Sequence, residues 1–120
     1  MVIYFISGHR DITKEEFEKH YKVEMNMVML CGECKFVVGD YYGVDIMAQE
    51  YLLSKGANVT VYHMLEAPRN NAGFPVKGGY EDDESRDSAM TRESDMDIAW
   101  VRDGKENSGT AINLRRRESM

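Results

Sequence analysis

Cysteine and proline are scarce, at two residues each, and no apolar run is long enough to span a bilayer. Two cysteines cannot build the disulfide framework of a small secreted domain. A chain of 120 residues needs none, because it can bury a core of its own. A membrane helix needs about 20 consecutive apolar residues. The opening segment Met1-Val2-Ile3-Tyr4-Phe5-Ile6 runs into Ser7-Gly8-His9 without a basic leader, so the expectation is a cytoplasmic protein with no membrane partner. Positive charge is also short, with 15 basic against 21 acidic residues and a formal charge of −6. An acidic surface repels phosphate backbones, which argues against duplex nucleic acid as a general partner. The run Arg115-Arg116-Arg117 is too short to reverse that balance.

The two cysteines stand in one Cys31-Gly32-Glu33-Cys34, the spacing of a redox pair or half of a zinc site. There is no second pair, and the motif closes a helix and precedes a strand, whereas a thioredoxin-type motif opens a helix after a strand. Structural thiols are the reading its context favours. Nothing in the chain demands a metal or another cofactor. Asp40, Asp45 and Asp95 lack a histidine or second carboxylate motif at ligand spacing.

A hydrophobic content of 42% with 30% charged residues suits one globular domain. Val2–Ile6 is a continuous apolar run, read as a strand buried on both faces and hence part of a parallel sheet. Thr13-Lys14-Glu15-Glu16 fits a capping box opening a helix to about Leu30, with Phe17, Tyr21, Met25 and Val28 on one face. Its methionine cluster suits core filling, with a self-association face as the alternative. Lys35–Val38 is the next strand. A second helix follows, with Val44, Met47, Ala48, Tyr51 and Leu52 at helical spacing and Gly56 as its stop. Asn58–His63 is a third strand, and Glu66 to about Glu84, with both prolines and several glycines, reads as a long loop acting as a lid or mobile segment. A short helix near Glu84–Glu93, a strand Asp97–Val101 and a last helix carrying Ala111, Ile112 and Leu114 complete the chain. Regular alternation of strand and helix predicts an α/β, Rossmann-like three-layer sandwich with a mainly parallel sheet of four or five strands.

Ligands of such folds bind at the carboxyl ends of the strands. The stretches Ser7–Arg10, Gly39–Asp45, His63–Arg69 and Asp103–Thr110 are therefore expected on one side. Glycine beside a small polar residue lets backbone amides approach an anion, and a helix N-terminus adds a favourable dipole. Ser108-Gly109-Thr110 is the best phosphate cradle, although the same residues make an ordinary N-cap. Asp45, in the first turn of its helix, is the candidate catalytic carboxylate. His9 and Arg10 offer donors to a phosphate, Arg86-Asp87 is a possible ligand contact or a surface pair, and Tyr41 and Tyr42 could stack on a base. His63, at a strand end, is expected to face the cleft.

Ser7-Gly8-His9-Arg10, Gly39-Asp40 to Gly43-Val44-Asp45, Arg86-Asp87 with Met90, Asp95 to Ala99 and Ser108-Gly109-Thr110 together resemble the SLOG superfamily of Rossmann-like nucleotide-ligand domains. The resemblance spans nearly the whole chain with the motifs in order. Distant relatives are the LOG-type phosphoribohydrolases, the nucleoside 2-deoxyribosyltransferases and the nucleotide N-glycosidases. It implies a nucleotide or nucleoside phosphate ligand and assembly as a homodimer or higher homo-oligomer. Bond-cleaving relatives carry a glutamate three residues after the Thr of their Gly-Thr motif, where this chain has Asn113. An amide is neither a carboxylate nucleophile nor a base near neutral pH. Two functions are consistent with these residues. One is an enzyme acting on the N-glycosidic bond, with Asp45 at the sugar. The other is a binding module that senses or sequesters a nucleotide-derived ligand. A third, an interaction protein using the Met-rich helix, needs no ligand.

Overall fold

A computed structural model describes residues 1–120. Five strands, β1 (Val2–Ser7), β2 (Cys34–Gly39), β3 (Val59–Met64), β4 (Val76–Tyr80) and β5 (Met96–Ala99), form one sheet in the order β4-β3-β2-β1-β5. Every neighbouring pair is parallel. The chain steps outward from β1 to β4, then returns across the sheet to place β5 on the other side of β1. The direction of winding therefore reverses between β1 and β5, where α/β folds open a crevice. The molecule is an α/β protein of Rossmann-like architecture. No helix is long and apolar enough to cross a membrane.

The first helical arm begins at α1 (Lys14–Phe17), passes through a π-helical turn (Glu18–Lys22) and ends in α2 (Val23–Leu30). Its capping box forms as expected. The Thr13 hydroxyl accepts from the Glu16 amide at 3.1 Å, and the Glu16 carboxylate accepts from the Thr13 amide at 2.9 Å. Phe17, Tyr21 and Met25 are buried, whereas the methionine cluster splits: Met29 packs at the core edge, and Met27 and Leu30 face solvent. The second helix, α3 (Val44–Ser54), buries Val44, Ala48 and Leu52, and Gly56 at φ +65° ends it as a left-handed stop.

These helices cover one sheet face, where Ile6, Phe36, Val38, Val59, Val61 and Ile98 form the larger core. Burying each such side chain contributes roughly 1.5–3 kcal/mol. The alternate residues Phe5, Val37 and Tyr62 face the other way and meet Met90 of α4 (Asp83–Arg92) in a smaller core. The last helix, α5 (Gly109–Glu118), packs beside α4 and β5. The arginine run lies within it, with Arg116 and Arg117 half-buried and Arg115 exposed. Arg117 pairs with Asp97, Arg116 donates to Asn113 and Arg115 to the Glu106 carbonyl.

Two expectations need correction. The stretch after β3 is not one long loop, because Val76–Tyr80 pairs with β3 as an edge strand. Its glycines and its exposure on both faces erase the alternation that marks a strand in sequence. Nor does the preceding segment hang free. The Asp40 carboxylate accepts from the Arg69 amide at 2.8 Å, and Gln49 holds the Asn70 carbonyl and the Ala72 amide. The last strand also ends earlier than expected, at Ala99, because the Trp100 amide turns aside to the Tyr21 hydroxyl at 3.0 Å.

Candidate functional site

On the α4/α5 face, β1 and β2 end in Ser7 and Gly39, one alternation beyond the large residues Phe5 and Val37. Large side chains stop there, and a cavity of about 540 Å³ opens between the strand ends, α4 and the start of α5. That volume lies within the usual range of small-molecule sites. Three of the four expected stretches line it: Ser7 to Arg10, Gly39 with Tyr41 and Asp45, and Lys105 with Ser108 to Thr110. The stretch from His63 to Arg69 does not. His63 is buried two strands away with its ring against Gly78, which corrects its expected place in the cleft.

The start of α5 presents unpaired helix amides to the cavity. The Ser108 hydroxyl caps the helix by accepting from the Ala111 amide at 3.2 Å, while the first-turn amides of Gly109 and Thr110 have no acceptor within the helix. A Cβ at Gly109 would meet nothing within 4 Å. Arg10 and Lys105, both on the cavity wall, form no ion pair with the protein. Lys105 was not singled out in the sequence. Its position in the polar turn leading to the Ser108 cap was the signal available.

His9 lines the cavity as a neutral ring. Its Nε2 accepts from the Arg102 amide at 2.9 Å, so the proton resides on Nδ1 and the ring is neutral. Burial, reinforced by the Arg102 charge, lowers its basicity further. The bond ties the turn after β1 to the turn after β5. Arg102 itself is anchored to Asp11 and Glu16.

Asp40 and Gly43 do not line the cavity. Asp40 is 1% exposed and lies behind the wall, paired with Arg86 at 2.7 Å and Arg69 at 3.0 Å. Gly43, at φ +71°, is required because a Cβ there would fall 2.4 Å from the His9 carbonyl oxygen. Arg86 is buried on the wall, but its guanidinium is shared among Asp40, Asp83 and Asp87. Arg86 thus lines the cavity with its charge already shared among three carboxylates that it holds in place.

Asp45 is the exception among these acids. It is 7% exposed, its Oδ2 accepts from the Tyr41 amide at 3.1 Å, and it forms no ion pair. Burial pushes its carboxyl up to about 7; the Arg86 charge pulls it down and that of Asp87 raises it. Gly39 makes room for this arrangement, since a Cβ there would lie 2.6 Å from the Asp45 oxygen and 3.0 Å from the Arg86 Cζ. A cavity carboxyl that exchanges its proton near neutral pH is fitted to acid/base work.

Asn113 is 3% exposed and lines the same wall. Its amide nitrogen donates to Asp87 at 3.2 Å while its oxygen accepts from Arg116 at 2.6 Å. An amide is the side chain that can satisfy both neighbours at once, donor to one and acceptor to the other. Asp87 is thus steadied from two sides, by Asn113 and by Arg86 at 2.9 Å.

Fold and cavity together define a Rossmann-like α/β protein whose crevice at the winding reversal combines free helix amides, unpaired cations and a buried protonatable carboxyl. The family models, the curated proteins and the solved structures contain no match to this chain.

Proposed function

We propose that this protein binds a nucleotide or phosphorylated nucleoside in the crevice and cleaves or transfers at its N-glycosidic bond. The observation that carries the reading is the pairing, in one cavity, of an anion-binding helix start with Asp45, a buried carboxyl poised near neutrality. The phosphate is assigned to the Gly109 and Thr110 amides with Arg10 and Lys105. Asp45 in its protonated form donates to the departing base while the Asp87 carboxylate offsets positive charge developing on the sugar; water, or a second base in transfer, then bonds to the anomeric carbon and returns its proton to Asp45. The resemblance of the motif order to that of the SLOG superfamily supports the same assignment.

Asn113 favours a second reading, a module that senses or sequesters the nucleotide without turning it over. The amide bridges Asp87 and Arg116 where bond-cleaving relatives carry a glutamate. One experiment separates the two. The protein is incubated with nucleoside monophosphates, deoxynucleotides, NAD and ADP-ribose, and thermal stabilisation and base release are followed together. A ligand that binds the folded state alone raises the melting temperature. Stabilisation with base release, lost in Asp45→Asn, supports the enzyme. Stabilisation without release supports the binding module, and silence across the panel removes the nucleotide reading.

A further inference from the structure

The Ser7 hydroxyl is a buried side-chain polar atom with no hydrogen-bond partner. Folded proteins pair nearly all such groups, so an unpaired one calls for a cause. Ser7 is 6% exposed and sits on the cavity wall at the end of β1. The backbone that carries it is held in place. The Tyr21 hydroxyl donates to the Ser7 carbonyl at 2.8 Å, and the next residue, Gly8, is packed so tightly that a Cβ would fall 2.4 Å from the Tyr21 oxygen.

The surroundings narrow what this hydroxyl can meet. It is not an activated nucleophile, because no base lies within hydrogen-bond reach, and His9 has its Nε2 committed to the Arg102 amide. An anion has a better place beside the cations Arg10 and Lys105 and the α5 amides. A neutral group that both donates and accepts matches a serine hydroxyl. We infer that Ser7 reads a hydroxyl of the ligand's sugar, making the crevice selective for a ribonucleoside phosphate over its deoxy counterpart. This inference rests on the nucleotide reading above and deepens it.

The test crosses protein variants with ligands. Binding of the four ribonucleoside 5′-monophosphates and their 2′-deoxy and 3′-deoxy counterparts is measured by calorimetry on the wild type and on Ser7→Ala. The wild type is expected to favour the ribose form over one deoxy form by about tenfold, the effect of one hydrogen bond to a buried group. Ser7→Ala should bind both forms with the affinity the wild type has for that deoxy ligand. Its own melting temperature should be unchanged or higher, since an unpaired buried group is removed. The deoxy position that loses discrimination identifies the hydroxyl. Ser7→Cys, which is somewhat larger and donates weakly, should show the same pattern if the alanine variant folds poorly. Equal losses for ribose and deoxy ligands, or none, overturn the inference and leave nucleotide binding intact. Failure of the wild type to bind any of these nucleotides overturns both.

Discussion

Replacing Asp45 by asparagine separates the cost of a buried carboxylate from everything else in the crevice. Asparagine keeps the shape and still offers an oxygen to the Tyr41 amide, which the Asp45 carboxylate accepts at 3.1 Å. Asp45 titrates near its ordinary value of 3.8 in the unfolded chain and at about 7 in the folded protein. Between those values the folded protein keeps a proton that the unfolded chain has lost, so stability falls as pH rises. Below the window both states are protonated and above it both are ionised, so the slope vanishes. Each pH unit inside the window is worth about 1.4 kcal/mol, giving a total of up to about 4 kcal/mol. Asp45→Asn should therefore match the wild type near pH 4 and exceed it above pH 7 by up to about 4 kcal/mol. Urea denaturation of both proteins from pH 4 to pH 8 measures the difference, and other titrating groups cancel in it. A variant that is less stable at pH 8, or a difference that does not grow with pH, would refute the buried, proton-holding carboxyl. Base release, where the wild type shows it, should disappear in this variant while ligand binding stays measurable.

Gly109→Val should leave stability within about 0.5 kcal/mol, as for an exposed site with open space, yet abolish thermal stabilisation by a nucleotide because the side chain crowds the helix amides; retained affinity in the folded variant would remove α5 as the phosphate site. Gly39→Ala drives a methyl to 2.6 Å from the Asp45 oxygen and should cost about 1–3 kcal/mol together with ligand binding, read by denaturation and calorimetry. A wild-type melting curve would mean that Asp45 and Arg86 do not pack against that strand end. Tyr21→Phe loses both a donor to the Ser7 carbonyl and an acceptor for the Trp100 amide, with an expected cost of about 1–3 kcal/mol in denaturant. An unchanged midpoint would show that this hydroxyl does not join the ends of β1 and β5.

Much of the frame was legible along the chain because the signals are local. Thr13 and Glu16 lie three residues apart and cap each other, and Val44, Ala48 and Leu52 fall on one helical face whatever they pack against. The Ser108 cap and the meeting of the β1, β2 and β5 turns follow from alternation of strand and helix. β4 escaped because an edge strand of Lys77, Gly78 and Gly79 is defined by its partner strand, not by its own side chains. The π-helical turn that brings Tyr21 to the strand ends has no comparable sequence marker.

The site divides in the same way. Sequence alone brought three of its four expected stretches to the crevice, since a parallel sheet sends its strand-end turns to one side, but not the stretch after β3, and it supplied a helix start with unpaired amides. Which side chains are free there was decided by tertiary structure. Asp40 and Arg86, both candidate contacts, are 46 residues apart in the chain, and only the crossing of α4 over the sheet joins them as a buried pair. That pairing leaves Asp45 without a cation of its own, and burial then raises its carboxyl towards neutrality. Ser7 is similar: a polar residue in sequence, an unpaired hydroxyl in the fold. Charge state and hydrogen-bond satisfaction depend on every neighbour within a few ångströms, and most of those neighbours are remote in sequence.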